Sequence, residues 1–341
     1  MPQTNVGLVP GGAVGTELVA TTRRAVVPAL FVQIYKSTPM LNLLFGTAQR
    51  AEGGLSQITV PVQGSSFVNF AWTDYSGGFP QPAIQPAIQN AEFNLCVGVV
   101  PISFMGMEAL IQSSEAIIPL MKARMADAKT VAVQALSTAL FTNNAALPNA
   151  AQIINGLPQA YDNGTNVASY GGINRNSAGN AFWQSNYLNA NGLTNNRNQN
   201  MAWLVQTTSL AGGEAPDFVV MNPSDWTTLM QDVMSVEQYN TYPKSQYGVE
   251  DAPNAGFRGL MIGGTPYFID IFCPKGTAYV INTKYFAAYV SEDAPFAFSG
   301  FYSSIPNLQV ANVGVVIIAM QTVCTKPSSG AQIYNIAGGA F

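Results

Sequence analysis

Leu120, Met121, Met125, Ala128, Val131, Val133, Leu136, Leu140 and Phe141 recur at helical spacing, and this is the clearest periodic element in the chain. The spacing predicts one long helix over about 114–142. Ser113 or Ser114 with Glu115 can start it, and Pro119 is tolerable only near its first turn. A helix of that length argues against the nearly all-β build of many proteins rich in Asn, Gly and Thr.

On either side the period changes. Within residues 55–105, LSQITVPVQ, FVNFAW and AEFNLCVGVVPISF alternate apolar and polar residues around the turn-rich DYSGGFPQPAIQPAIQN, which predicts a long two-stranded excursion with a loose tip. Residues 143–215 are dominated by Asn, Ala, Gly and Gln and lack strong periodicity, apart from a helix expected near Asn200–Ser209. DFVVMNPSDWTTLMQDV, from Asp217, then reads as a short buried strand, a turn and cap at Asn222-Pro223-Ser224, and a helix. GLMIGGTPYFIDIFCPKGTAYVINTKYFAAYV reads as three short strands, and NLQVANVGVVIIAMQTVCTKP as a long strand stopping at Pro327. Near the amino terminus, residues 1–30 read as an extended arm whose order depends on a neighbour. FVQIYKSTPMLNLLF, at 31–45, is broken by Pro39 into a short helix or an extended segment. The fold class is α+β, in about two lobes.

Charge narrows the function. Of 341 residues, 48% are apolar and only 9% charged, against roughly 25% in ordinary soluble domains, so much of the surface is expected to meet other subunits. Between Gly53 and Met107 there is no Lys or Arg, and the acids are Asp74 and Glu92 alone, which leaves the excursion little means of repelling another protein surface. Its tip carries Trp72, Tyr75, Phe79 and Pro80, a hazard on a monomer but anchors against a neighbouring subunit. A net charge of -4 offers no general attraction for phosphates, and Lys and Arg cluster only at Arg23-Arg24. No run of eighteen apolar residues and no basic-then-apolar start occurs, so membrane spanning and secretion are not expected.

Chemistry is scarce as well. The absence of histidine removes Ser-His-Asp, Cys-His and H-E-x-x-H arrangements. GGAVGTE at 11–17 lacks both G-x-G-x-x-G spacing and a Walker lysine. Glu250-Asp251 and Glu292-Asp293 are read as solvated pairs, and Asn163-Gly164-Thr165 as a tight turn with positive φ at Gly164 rather than a glycosylation site. Cys96, Cys273 and Cys324 lack C-x-x-C spacing and read as small buried hydrophobes. No catalytic, cofactor-binding or metal-ligating residues are expected.

Local wording adds a resemblance. Gly156-Leu157, DNGTNVASYGGINR at 162–175, Trp183, PDFVVMNPSDW at 216–226 and GGTPYFIDIFCPKGTAYVINTKY at 263–285, set in the order arm, β excursion, long helix, mixed lobe and returning strand, resemble the HK97-like major capsid proteins of tailed bacteriophages. The resemblance implies an N-terminal arm at 1–50, the E-loop and first P-domain strands at 51–105, the P-domain with its spine helix at 106–152, an A-domain at 153–300, and a C-terminal P-domain strand and tail at 301–341. It also implies a subunit of the virion capsid, assembled in the host cytoplasm into pentamers and hexamers of an icosahedral head. Double-stranded DNA would be enclosed without sequence-specific binding or any membrane. Arg23 and Arg24 would make arm contacts, and separate scaffolding, decoration and portal proteins are the implied partners.

Two departures shape that expectation. The arm follows Met1 almost directly, with no charged helical segment before it, so a separate scaffolding protein or none is expected. No lysine lies between Lys36 and Lys122, so no covalent cross-link can start from the E-loop. If the fold is of this kind, Cys96 and Cys324 would lie on strands of one sheet and could be neighbours. An encapsulin-type nanocompartment shell protein is an alternative on the same fold, and a virion tail or receptor-binding structural protein is an alternative from another class.

Overall fold

The computed structural model describes residues 39–51, 56–64, 88–105, 114–190, 197–234, 260–262, 264–303 and 311–336. Helix α1 (Pro39–Gly46) begins on the proline that breaks the preceding run, where a missing N–H costs nothing because the first turn has no acceptor for it. Strands β1 (Gln49–Ala51), β2 (Gln57–Gln63), β3 (Ile88–Asn94) and β4 (Cys96–Met105) follow. The expected long helix is α2 (Ser114–Phe141). Pro119 is its sixth residue, so the helix runs through the proline further from its start than the sequence rule allowed.

Beyond α2 come the single turn α3 (Leu157–Ala160), β5 (Ser169–Tyr170), β6 (Ile173–Asn174) and β7 (Asn186–Asn189). Helix α4 (Arg197–Gly212), β8 (Phe218–Met221) and α5 (Pro223–Met234) match the expected helix, strand and helix. The segment read as three short strands holds β9 (Leu260–Ile262), β10 (Thr265–Ile269) and β11 (Thr277–Ile281), and its last residues, from Phe286, already open a fourth, longer strand. The chain ends in the long pair β12 (Phe286–Ser303) and β13 (Ala311–Cys324), then β14 (Ala331–Tyr334).

Two sheets organise these elements. One has four strands in the order β1-β12-β13-β4, the other six in the order β7-β14-β11-β8-β10-β9, while β2 and β3 form a separate antiparallel hairpin. The six-stranded sheet is buried on both faces, which is why β8 reads as an unbroken apolar run. Phe218 and Val220, with Tyr279 and Ile281 on β11, enter the core shared with α2. Val219 and Met221, with Ala278 and Val280, enter a second core with Met201, Leu204 and Leu229 of α4 and α5. Successive residues alternate between the two cores because a strand has a side-chain period of two. Each such side chain contributes roughly 1.5–3 kcal/mol by leaving water.

Helix α2 buries Met125, Ala128, Ala132, Val133, Leu140 and Phe141. Val131, counted in the apolar stripe from sequence, is instead 48% exposed, because the buried stripe passes through its neighbours Ala132 and Val133. The side chains of Leu120 and Met121 lie outside the described residues. The sheets are not contiguous segments of chain. Strand β12 crosses residue 300 within the four-stranded sheet, and β14 returns to the six-stranded one between β7 and β11.

Cys96 and Cys324 do share the four-stranded sheet, but Cys96 lies opposite Met320 and Cys324 opposite Phe286. Four residues of strand, ~13 Å, therefore separate them along the sheet, and all three cysteines are buried and free.

Candidate assembly surfaces

The stretch with the least periodicity holds the densest polar network. Asp162, fully buried, accepts the amides of Gly164, Asn166 and Val167 on Oδ2 at 3.0, 3.0 and 2.7 Å, and the Asn166 side-chain amide on Oδ1 at 3.1 Å. Arg175, also fully buried, donates to the carbonyls of Ala160 (2.8 Å), Trp183 (3.0 Å) and Val167 (3.4 Å), and its guanidinium lies 5.0 Å from the centre of the Tyr170 ring. Burial lowers the Arg175 pKa, and the charge of Asp162 opposes that shift. A planar fork of donors suits three carbonyls converging from different loops, which a single ammonium could not satisfy.

This network braces the hairpin. The β5–β6 turn, Gly171-Gly172, is pressed against β3. A Cβ on Gly171 would come within 2.7 Å of the Phe93 ring, and its φ of 59° is one that side chains disfavour. The Glu92 amide donates to the Gly171 carbonyl at 2.9 Å, and the Phe93 and Tyr170 rings meet edge to face at 5.0 Å. Trp183 donates its indole N–H to the Tyr170 carbonyl at 2.9 Å, while the Tyr170 hydroxyl accepts the Cys324 amide at 2.9 Å. The hairpin base is thus tied to the four-stranded sheet through buried, satisfied polar groups.

The outer face of the four-stranded sheet carries an apolar row, uncharged among its described side chains. Cys96, Ile102, Val316, Ile318 and Met320 are buried. On the other face Val97 and Val99 are 56% and 55% exposed, opposite Ala319 and Ile317, with Pro101 opposite Val315 next along the strands. Ala297 of β12 extends the same row beside Ile317, and Tyr302, 66% exposed, continues it opposite Val313. Beside β4 lies a groove of about 630 Å³ against α2, walled by Val99, Val131, Leu147, Ile153 and Ile318 among others, and no Asp, Glu, Lys or Arg lines it. A second exposed apolar pair, Trp203 and Leu210, sits seven residues apart and so on one side of α4. That spacing was visible in the sequence, but it was hidden by the absence of a long periodic run.

The predicted contact residues Trp72, Tyr75, Phe79, Pro80, Arg23 and Arg24 lie outside the described residues, as do GGAVGTE and Glu250-Asp251. Asn163-Gly164-Thr165 is the expected turn, with φ of 98° at Gly164 and the Thr165 amide on Asn163 Oδ1 at 3.1 Å. Glu292 faces Arg50 at 3.7 Å with both side chains exposed, a pair of little energetic weight. Among the described residues no three His, Cys, Asp or Glu side chains cluster as metal ligands, and no helix is long and apolar enough to cross a membrane.

No protein-family model matches the chain, and no curated protein matches it. Solved structures do. A chain of the cyanophage A-1(L) capsid asymmetric unit superposes with a TM-score of 0.66 at 17% identity, covering 88% of this chain and 93% of that one. The capsid of an empty GTA particle gives 0.52 at 11% identity, covering 86% and 96%, and that of the native GTA particle gives 0.52 at 11%, covering 85% and 89%. The chain has an HK97-like capsid fold.

Proposed function

We propose that this chain is the major capsid subunit of a tailed-phage head, assembling into pentamers and hexamers around double-stranded DNA. What carries the reading is the likeness to a cyanophage capsid chain over 88% of the length. The apolar row on the outer face of the four-stranded sheet, which we assign to the P-domain, supports it, since such a row on a monomer is an aggregation hazard unless a partner covers it. The E-loop of a neighbouring copy, which has no Lys or Arg, suits it, with Trp72, Tyr75, Phe79 and Pro80 as anchors, and the arm with Arg23 and Arg24 adds further contacts. Many modest contacts acting together let errors dissociate during growth while the closed shell persists. A net charge of -4 lets packaged DNA move without sticking. The subunit is read as a structural protein without catalysis, working in the virion after assembly in the host cytoplasm, with separate scaffolding, decoration and portal proteins as partners.

Negative-stain electron microscopy of the purified chain, alone and with the products of neighbouring genes, tests this. Closed shells, or rings of five and six subunits, are expected. The Val99→Lys, Ile317→Lys double variant should yield folded subunits without shells, as should deletion of residues 65–87 between β2 and β3. Persistent monomers of the unaltered chain under every condition, neighbours included, would remove the capsid reading.

A further inference from the structure

Asp270 is the least explained charge in the described molecule. It follows β10, is 1% exposed, and lies where α1 packs into the core through Met40, Leu41 and Leu44. The Phe272 amide donates to its Oδ1 at 2.9 Å, but its buried Oδ2 has no hydrogen-bond partner. The Met40 backbone amide, in the first turn of α1, faces the same carboxyl. Buried polar atoms are almost always paired, so an unpaired carboxylate oxygen beneath a docked helix is a standing penalty on docking whenever the group is ionised.

Among the described residues no cationic side chain is set against that carboxyl. Helix α1, PMLNLLFG, carries no ionisable side chain. On the same loop, the Cys273 thiol is itself pushed up by burial and by the carboxylates of Asp270 and Asp225. Asp225, on α5, is raised by burial and engaged by the Gly276 amide and by Lys275. Strand β8 contributes only the Met221 carbonyl, which accepts the Asp270 amide at 3.0 Å. Neutral Asp270 is therefore the form that fits under the helix.

We propose that Asp270 makes the docking of α1 proton-linked: the helix is held more tightly when this carboxyl carries a proton, and less tightly once the proton leaves. Burial raises Asp270 from the ordinary 3.8 to about 6, outweighing the Phe272 and Met40 amides that favour the anion. The docked state thus binds the proton more strongly. The stabilisation is complete below about pH 3.8 and is lost as pH rises through about 6. The full span corresponds to about a hundred-fold change in the docking constant. The device belongs to the single subunit and does not rest on the capsid reading.

Amide hydrogen exchange on the full unassembled chain, corrected for intrinsic rates, reads it directly. Protection of residues 41–46 should fall by tens-fold between pH 4.5 and 7.5, with the steep part of the fall below pH 6 and a plateau above it. Asp270→Asn should abolish that dependence and keep α1 protected at pH 7.5, whereas Cys273→Ala should leave it in place. Leu41→Ala weakens docking in both protonation states alike, so it should lower protection at every pH and keep the ratio between pH 4.5 and 7.5. If Asp270→Asn does not fold, the carboxyl carbon resonance of Asp270 in the unaltered chain decides the matter, and it should titrate near 6. A flat exchange profile in the unaltered chain, an undiminished dependence in Asp270→Asn, or an Asp270 carboxyl that titrates near 3.8 would each overturn the linkage.

Discussion

Replacing Arg175 by Leu removes the donors of three buried carbonyls at once. The bonds to Ala160 and Trp183, at 2.8 and 3.0 Å, are well formed, while that to Val167, at 3.4 Å, is long. Each carbonyl left dry and unpaired costs ~1–3 kcal/mol, so the two good bonds alone account for ~2–6 kcal/mol. The new side chain offsets part of this, because Leu buries apolar surface without the desolvation cost of a cation, a gain of ~1–2 kcal/mol. Asp162 keeps its four donors but loses the attraction of the Arg175 cation, which adds to the loss. A net destabilisation of ~3 kcal/mol is expected, a large share of the 5–15 kcal/mol that holds a typical domain together. Urea unfolding of the purified chain measures it. Exchange at the Glu92 and Phe93 amides should rise before global unfolding, because the turn that braces β3 is the first thing freed. Arg175→Lys should recover little, since one ammonium cannot serve carbonyls on three loops. A loss below ~1 kcal/mol, or no change at β3, would refute the bracing role.

Two further substitutions probe the same frame. Gly171→Ala puts a methyl within 2.7 Å of the Phe93 ring at a φ of 59°, and should cost ~2–4 kcal/mol in thermal unfolding while loosening the hairpin base. Gln321→Leu removes an amide that accepts the Asn155 N–H at 2.8 Å and donates to the Asn94 carbonyl at 2.7 Å, so a loss of ~2–4 kcal/mol is expected in the same assay.

How much of this was legible depended on period. Helix α2, strand β8 and the three strands β9, β10 and β11 announced themselves because one face, or both, repeats regularly. Strand β12 did not, since its pairing with β13 shifts register between Val290 and Pro295, between Pro295 and Ala297, and between Phe298 and Phe301, which scrambles the alternation that marks a strand. Strand β14 is four residues long and follows a turn at Pro327, too short for any pattern to form. The Asp162–Arg175 network is held by backbone groups, which leave no trace in side-chain order. Its one signal was an Asp and an Arg framing a Gly- and Asn-rich stretch in a chain that is 9% charged. The exposed row Val97, Val99 and Pro101 could be placed on one face of a strand, but which face stays uncovered depends on partners that come from elsewhere in the chain.

The position of β14 sets a clock on the subunit. Among the described strands, β7 pairs with its sheet through β14 alone, which lies between it and β11. Until β14 has been made, β7 has no strand to pair with, and the second core lacks Ala331 and Ile333. A chain built in this order closes its six-stranded sheet late, so the facing edges of β7 and β11 wait uncovered until synthesis has passed residue 334.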